Sequence, residues 1–124
     1  MVNRKIIPIY TTRGDLGALM KYPYLFDKSG DWIGFVTEER EVYSLQGSYV
    51  GYLADGPRIL RKRVYSFDKP RVEPPENPGR IHAPATIPLA PMMSELTYSV
   101  IDLLEEEPDR LATSDAGELR EDLD

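Results

Sequence analysis

The one basic cluster in this chain is Arg58-Ile59-Leu60-Arg61-Lys62-Arg63. Guanidinium forks grip carboxylate and phosphate oxygens bidentately, so Arg58, Arg61, Lys62 and Arg63 form a candidate basic patch for a phosphate or an acidic partner. A dedicated phosphate site also needs a glycine-rich loop or a helix N-terminus beside it. Neither is adjacent, and the plainer reading is a solvated turn or an electrostatic partner for the chain's own acidic end. His82 is the sole histidine and there is no cysteine; one imidazole without thiolates cannot complete a zinc site. No spacing offers that histidine a paired nucleophile or acid. Asp27, Asp31, Asp55 and Asp68 lack the spacing of an EF-hand loop, and Asp27 and Asp31 read as turn residues that bond local amides. These residues assign no catalytic site, no cofactor and no metal, and they do not favour an enzyme.

Aromatic residues are the other candidate chemistry. Tyr10, Trp32, Tyr43, Tyr49 and Tyr52 could form a stacking platform for a ligand or peptide, although their spacing on strands favours packing in a core or a subunit interface. The elements that would hold them repeat. Ile9-Tyr10 is followed by Gly14 and Gly17, Leu25-Phe26 by Gly30 and Gly34, and Val42-Tyr43 by Gly47 and Gly51, a period of 16 or 17 residues. Such self-similarity marks one small unit copied several times. Each copy is a β-branched or aromatic run, a turn with glycine and a second apolar run, which is the signature of a β-hairpin. Gly30 and Gly47 fall where a tight turn needs positive φ. Gly34 and Gly51 lie inside strands, where glycine points to a bulge or to another backbone close by. One more step of 17 lands on Ile59-Leu60 but replaces the two glycines with Val64 and Asp68, so a fourth hairpin is implied in degraded form.

Trp32, Gly34 and Val36 alternate with Ile33 and Phe35, and Tyr49, Gly51 and Leu53 with Val50 and Tyr52, so both faces of these strands are apolar. Something must cover the second face. Trp32, Phe35, Tyr49 and Tyr52 are therefore the candidate interaction surface, and a symmetric homodimer is the expected assembly.

The chain divides into four parts. Residues 1–70 form the hairpin domain and hold eleven of the twelve aromatics; a core of that size buries only about 60% of the surface its unfolded chain exposes and needs help. Residues 71–91 contain six of the eleven prolines, with Pro70 immediately before them, which excludes helix and central strand and favours an extended strap. Ile81, Ile87 and Leu89 could lie across the exposed apolar face. In residues 92–107, Leu96, Val100, Leu103 and Leu104 make one helical stripe with Ser94 as N-cap, predicting a helix near 93–104. Residues 108–124 are polar and acidic and are expected to be a disordered tail. Charge follows the same division: 11 Lys/Arg against 8 Asp/Glu in residues 1–70, but 4 against 13 in residues 71–124, giving −6 overall. That balance argues against nucleic acid as a partner. No signal peptide or spanning segment is read, so the expectation is a cytoplasmic protein without membrane contact.

The pattern of apolar-Tyr/Phe, a gap, Gly, then Trp/Tyr-Ile/Val-Gly-aromatic, followed by a proline-rich strap and a short helix, resembles the four-fold beta flower proteins. The likeness runs over residues 6–104 and is strongest over 25–53. It implies a mainly β fold of four repeated β-hairpins around a pseudo-four-fold axis, and it implies no biochemical activity. The run Asp27-Lys28-Ser29-Gly30-Asp31-Trp32-Ile33-Gly34-Phe35-Val36 also resembles a strand of PRC-barrel domains, which would imply an RNA- or ribosome-associated adaptor working through the basic cluster. The leading functional expectation is a non-enzymatic interaction or scaffold module, self-associating or bound to another protein. The alternative is a small-molecule or enzymatic site at the pseudo-axis.

Overall fold

The computed structural model of the protein describes residues 5–113. Residues 1–4 and 114–124, which include most of the expected acidic tail, lie outside the described residues. Eight strands follow one another: β1 (Ile7–Tyr10), β2 (Leu16–Lys21), β3 (Tyr24–Phe26), β4 (Trp32–Val36), β5 (Glu41–Ser44), β6 (Tyr49–Ala54), β7 (Arg58–Lys62) and β8 (Val100–Asp102). Each pairs antiparallel with its neighbours in sequence, in the order β1 to β8. A short helix α1 (Leu103–Glu106) and a 3-10 turn (Pro108–Arg110) follow. The fold is the mainly β architecture that the repeat predicts. The sheet curls into a half-barrel, and the Tyr10 N–H reaches back to the Pro57 carbonyl at 3.0 Å.

Three hairpins are built alike, and their shared chemistry sits at the turn. Thr11, Asp27 and Ser44 each open one, and their side-chain oxygens accept the N–H of Asp15, Asp31 and Ser48 at 3.2, 3.0 and 3.3 Å. These are side-chain turns of the type that Ser, Thr and Asp favour. Gly30 and Gly47 close their turns at φ 93° and 82°, as expected. After each turn the register slips by one residue, so that Leu25 faces Gly34 while Phe26 faces Trp32, and Val42 faces Gly51 while Tyr43 faces Tyr49. In the first hairpin Ile9 faces Ala18. The true equivalent of Gly34 and Gly51 is therefore Ala18, and Gly17, which the spacing suggests, sits one place away.

The crowding expected at the strand glycines is present. A Cβ on Gly34 would stand 2.5 Å from the Tyr43 carbonyl oxygen, and one on Gly51 would collide with the Leu60 carbonyl. Both obstacles are backbone of the next hairpin. Ile9, Leu25, Val42 and Ile59 occupy equivalent positions, are all fully buried, and join Val36, Val50, Leu103 and Leu111 in one core.

The fourth unit departs from the expectation. After β7 the chain makes no tight turn; it wanders through residues 63–99 and returns as β8, so that Arg61 faces Ile101 and Lys62 faces Val100. The helix expected near 93–104 is accordingly corrected: residues 93–99 are irregular, 100–102 are strand, and helix occupies Leu103–Glu106 alone. Pairing with the free edge of β7 outweighs the weak helical period, and Val100 and Ile101 are β-branched residues suited to it. Leu111, which the sequence places in the polar tail, is buried in the core.

The strap contains no helix or strand, and it visits the hairpin tips in reverse order. The Val72 N–H donates to the Gly47 carbonyl at 2.9 Å, and the Ile81 N–H donates to the Gly30 carbonyl at 3.0 Å. Ala90 lies against Gly14, and the Pro88 carbonyl accepts the Tyr10 hydroxyl at 2.6 Å. Val72, Ile81 and Ala90 are nine residues apart, one tip each. Of the three side chains expected to cover the sheet, Ile81 and Ile87 are half-buried and Leu89 is exposed.

Candidate functional site

The residues with most chemical capacity gather on and around β7. Arg58 and Arg61 point into the protein. Arg58 is 6% exposed and donates to Thr12 Oγ1 at 3.1 Å and to the Ser94 carbonyl at 3.0 Å. The Thr12 N–H and hydroxyl donate in turn to Asp102 Oδ2 at 2.7 and 2.6 Å. This chain of contacts ties the tip of the first hairpin to the end of β8 and joins the two ends of the curled sheet. Arg61 makes a bidentate pair with Glu107, at 2.9 and 3.0 Å. Arg63 pairs with Glu106 and donates to the Tyr98 carbonyl. Only Lys62 of the four candidate basic residues is exposed. Arg61 and Arg63 thus pair with carboxylates of the chain's own acidic segment, Arg58 is spent on Thr12 and Ser94, and the three do not form an open basic surface.

Electrostatics at Glu107 follow from that pairing. The Arg61 hydrogen bonds, helped by Arg110 and opposed by burial, hold its carboxyl down at about 2 against an ordinary 4.5. A carboxylate accepting charged donors is stabilised in its ionised form.

The aromatic candidates form a continuous ladder on the second face. Phe35 stacks on Tyr43 with ring centroids 5.4 Å apart, Tyr43 meets Tyr49 edge-on at 5.8 Å, Tyr49 meets Tyr65 at 5.2 Å, and Tyr65 meets Phe67 at 4.9 Å. Tyr65 and Phe67 come from the connection after β7. They are part of the cover that the two-faced strands require, supplied within one chain. Phe35 is buried, whereas Trp32, Tyr49 and Tyr52 are half-buried; Trp32 stands edge-on to Tyr24, the strand partner of Phe35. Lys69 closes the cover by reaching Glu41 at 3.0 Å and lying 5.4 Å from the Tyr49 ring centre. Burial and the hydrogen bond to Glu41 push the Tyr43 hydroxyl up to about 12, and burial raises Tyr49 and Tyr65 as well. All three are neutral at physiological pH.

Sequence reasoning missed Tyr65, Phe67 and Glu107, the residues that complete these two networks. Only an unassigned aromatic pair just beyond β7 and an acidic triplet unfavourable to a helix C-terminus signalled them. His82 is exposed on the strap. The four equivalent positions where the hairpins meet, Ile9, Leu25, Val42 and Ile59, carry only hydrocarbon, so no polar groups converge from them. Among the described residues no three His, Cys, Asp or Glu side chains are grouped to hold a metal. No described helix is long and apolar enough to cross a membrane.

An antiparallel meander of repeated hairpins around a shared apolar centre, belted by its own proline-rich segment, defines a mainly β hairpin-repeat protein. The chain belongs to the 4-fold beta flower protein family, whose profile matches residues 7–101. The PRC-barrel likeness draws no support from that match. No curated protein and no solved structure matches the chain.

Proposed function

We propose that this protein is a non-enzymatic interaction module that meets a second copy of itself through the strap. One observation carries the reading. Among the described residues, six of the seven exposed large apolar side chains, Val64, Phe67, Val72, Leu89, Met92 and Tyr98, stand on the connection 63–99, and only Ile7 stands on the sheet. Scattered exposed hydrophobes are ordinary; their concentration on one anchored segment is not. Leu89 and Met92, at 96% and 103%, have nothing over them, and the backbone between Pro88 and Ala90 is pinned to Tyr10 and Gly14. A segment ordered in advance loses less entropy on association, so more of its contact energy becomes affinity. The sheet edges favour no such contact, because β1 carries Pro8 and β8 is three residues long, both devices that blunt edges.

The contact is thereby proposed on the strap, in place of the buried ring of Phe35 and the partly covered rings of Trp32, Tyr49 and Tyr52. One patch present on both copies closes a two-fold pair. Sedimentation equilibrium tests it: wild type should reach twice its 14.1 kDa with rising concentration, and Leu89→Asp/Met92→Asp should remain a monomer with the wild-type melting midpoint. A wild type that stays monomeric into the high micromolar range would overturn the reading.

A further inference from the structure

Beside the aromatic ladder lies a groove of about 350 Å3 with Tyr49, Tyr65, Phe67, Lys69, Arg71 and Arg110 in its wall. That volume is at the small end of the range for small-molecule sites. Three of its side chains are rings and three are cations, and no carboxylate lines it. The nearest carboxylates are already engaged: Glu41 with Lys69, Glu107 shared between Arg61 and Arg110, and Asp68 with the Ser66 hydroxyl. Arg71 has no partner among the described residues. In a chain of net charge −6, this is a local excess of positive charge against aromatic faces.

Two features of the wall are costly and unexplained by packing. The Tyr65 hydroxyl is buried and makes no hydrogen bond, a deficit that destabilises a folded protein unless something fills it. Phe67 holds φ at 57°, a left-handed conformation that is strained for a bulky side chain, and the residue is still 47% exposed. Arg61 and Arg110 fix that ring, with guanidinium carbons 4.8 and 4.5 Å from its centre. The strained backbone therefore holds an aromatic surface beside the groove and does not bury it.

We propose that this groove binds a small planar anion, an aromatic or heteroaromatic ring bearing one carboxylate or phosphate. Its ring lies against Tyr65 and Phe67, its anionic group meets Arg71 and Lys69, and one of its acceptor atoms accepts a hydrogen bond from the Tyr65 hydroxyl. The site stands apart from Leu89 and Met92 and does not depend on self-association.

The test is titration calorimetry on the full chain with indole-3-acetate and AMP as the carboxylate and phosphate probes, and with inorganic phosphate and neutral indole-3-ethanol as controls. At least one aromatic anion should bind with a Kd below about 1 mM, at least about tenfold tighter than either control. Tyr65→Phe should weaken that binding about tenfold, while the melting midpoint of the free protein holds or rises because an unpaired buried hydroxyl has been removed. Arg71→Ala, an exposed change that leaves the fold alone, should also weaken binding about tenfold and flatten its salt dependence. Failure of both probes to bind with a Kd below about 1 mM, controls that bind as well as the probes, or wild-type affinity in either variant would each overturn the proposal.

Discussion

Replacing Glu107 with Ala should cost the protein about 2 kcal/mol, and the structure fixes both the size and the pH at which the effect disappears. Arg61 is 3% exposed in its side chain and Glu107 is 34% exposed, so the substitution strands a buried guanidinium while leaving water a route to it. Breaking a fully buried pair costs about 3–5 kcal/mol. The carboxyl at about 2 against 4.5 independently sets a ceiling of about 3 kcal/mol, at ~1.4 kcal/mol for each unit of pKa. Solvent screening of a one-third exposed carboxylate lowers that ceiling to about 2. The depressed folded pKa means that the contribution is fully present above pH 4.5 and is lost as pH falls through about 2, below which the carboxyl is protonated in both states. Urea unfolding of wild type and Glu107→Ala should therefore differ by about 2 kcal/mol at pH 7 and converge between pH 4.5 and 2. Arg61→Met/Glu107→Leu should recover most of the loss, because an apolar pair leaves no stranded charge. A difference under about 0.5 kcal/mol at pH 7, or one that persists at pH 2, would refute the assignment of Glu107 as the counter-charge that makes a buried Arg61 tolerable.

Gly34→Val and Gly51→Val should each destabilise by about 1–3 kcal/mol or more, because the obstructing atoms are the Tyr43 and Leu60 carbonyls and backbone cannot swing aside; neutral midpoints in denaturant would contradict the crowding. Cutting the chain before residue 109, within the segment that the sequence alone marks as a disordered tail, should cost about 2–5 kcal/mol, since it removes Leu111 at 6% exposure; an unchanged melting midpoint would show that Leu111 contributes nothing. Deleting from Pro91 onward also takes β8, Ile101 and Leu103, and against a typical total stability of about 5–15 kcal/mol it should abolish cooperative unfolding. A surviving sharp transition would mean that β7 needs no partner.

Much of the architecture was legible because the repeat acts locally. Positive φ at Gly30 and Gly47 and the alternation of apolar residues are imposed by neighbours a few positions away, and they read directly as hairpins. The glycines inside strands also announced their crowding, since a missing Cβ leaves room for another backbone to approach closely. What could not be read depended on distant partners. Val100 and Ile101 fit a helical stripe or a strand equally well, and only the free edge of β7, some forty residues earlier in the chain, decides between them. The assignment of Gly17 failed for a smaller reason: a one-residue bulge separates turn from strand, and spacing alone cannot tell which side of the bulge a glycine occupies. The clasp between strap and tips was invisible as well, because it uses backbone amides of Val72 and Ile81 that carry no side-chain signature. For the candidate site, the arginines of β7 were recognised as chemically capable, but their carboxylate partners lie more than forty positions away, in a segment that sequence assigns to another role.

The proposed self-association requires a strap that is ordered on the hairpin tips before any partner arrives. Amide hydrogen exchange followed by NMR on the full-length chain at low concentration reads this directly, since an amide hydrogen-bonded in the strap exchanges more slowly than a free one. The Val72 and Ile81 amides, which donate to the Gly47 and Gly30 carbonyls, should exchange at least about tenfold slower than in an unstructured peptide. If both exchange at the unstructured rate while Leu19 and Val42 stay protected, the strap is a loose linker, and the preordered contact surface proposed for self-association does not exist.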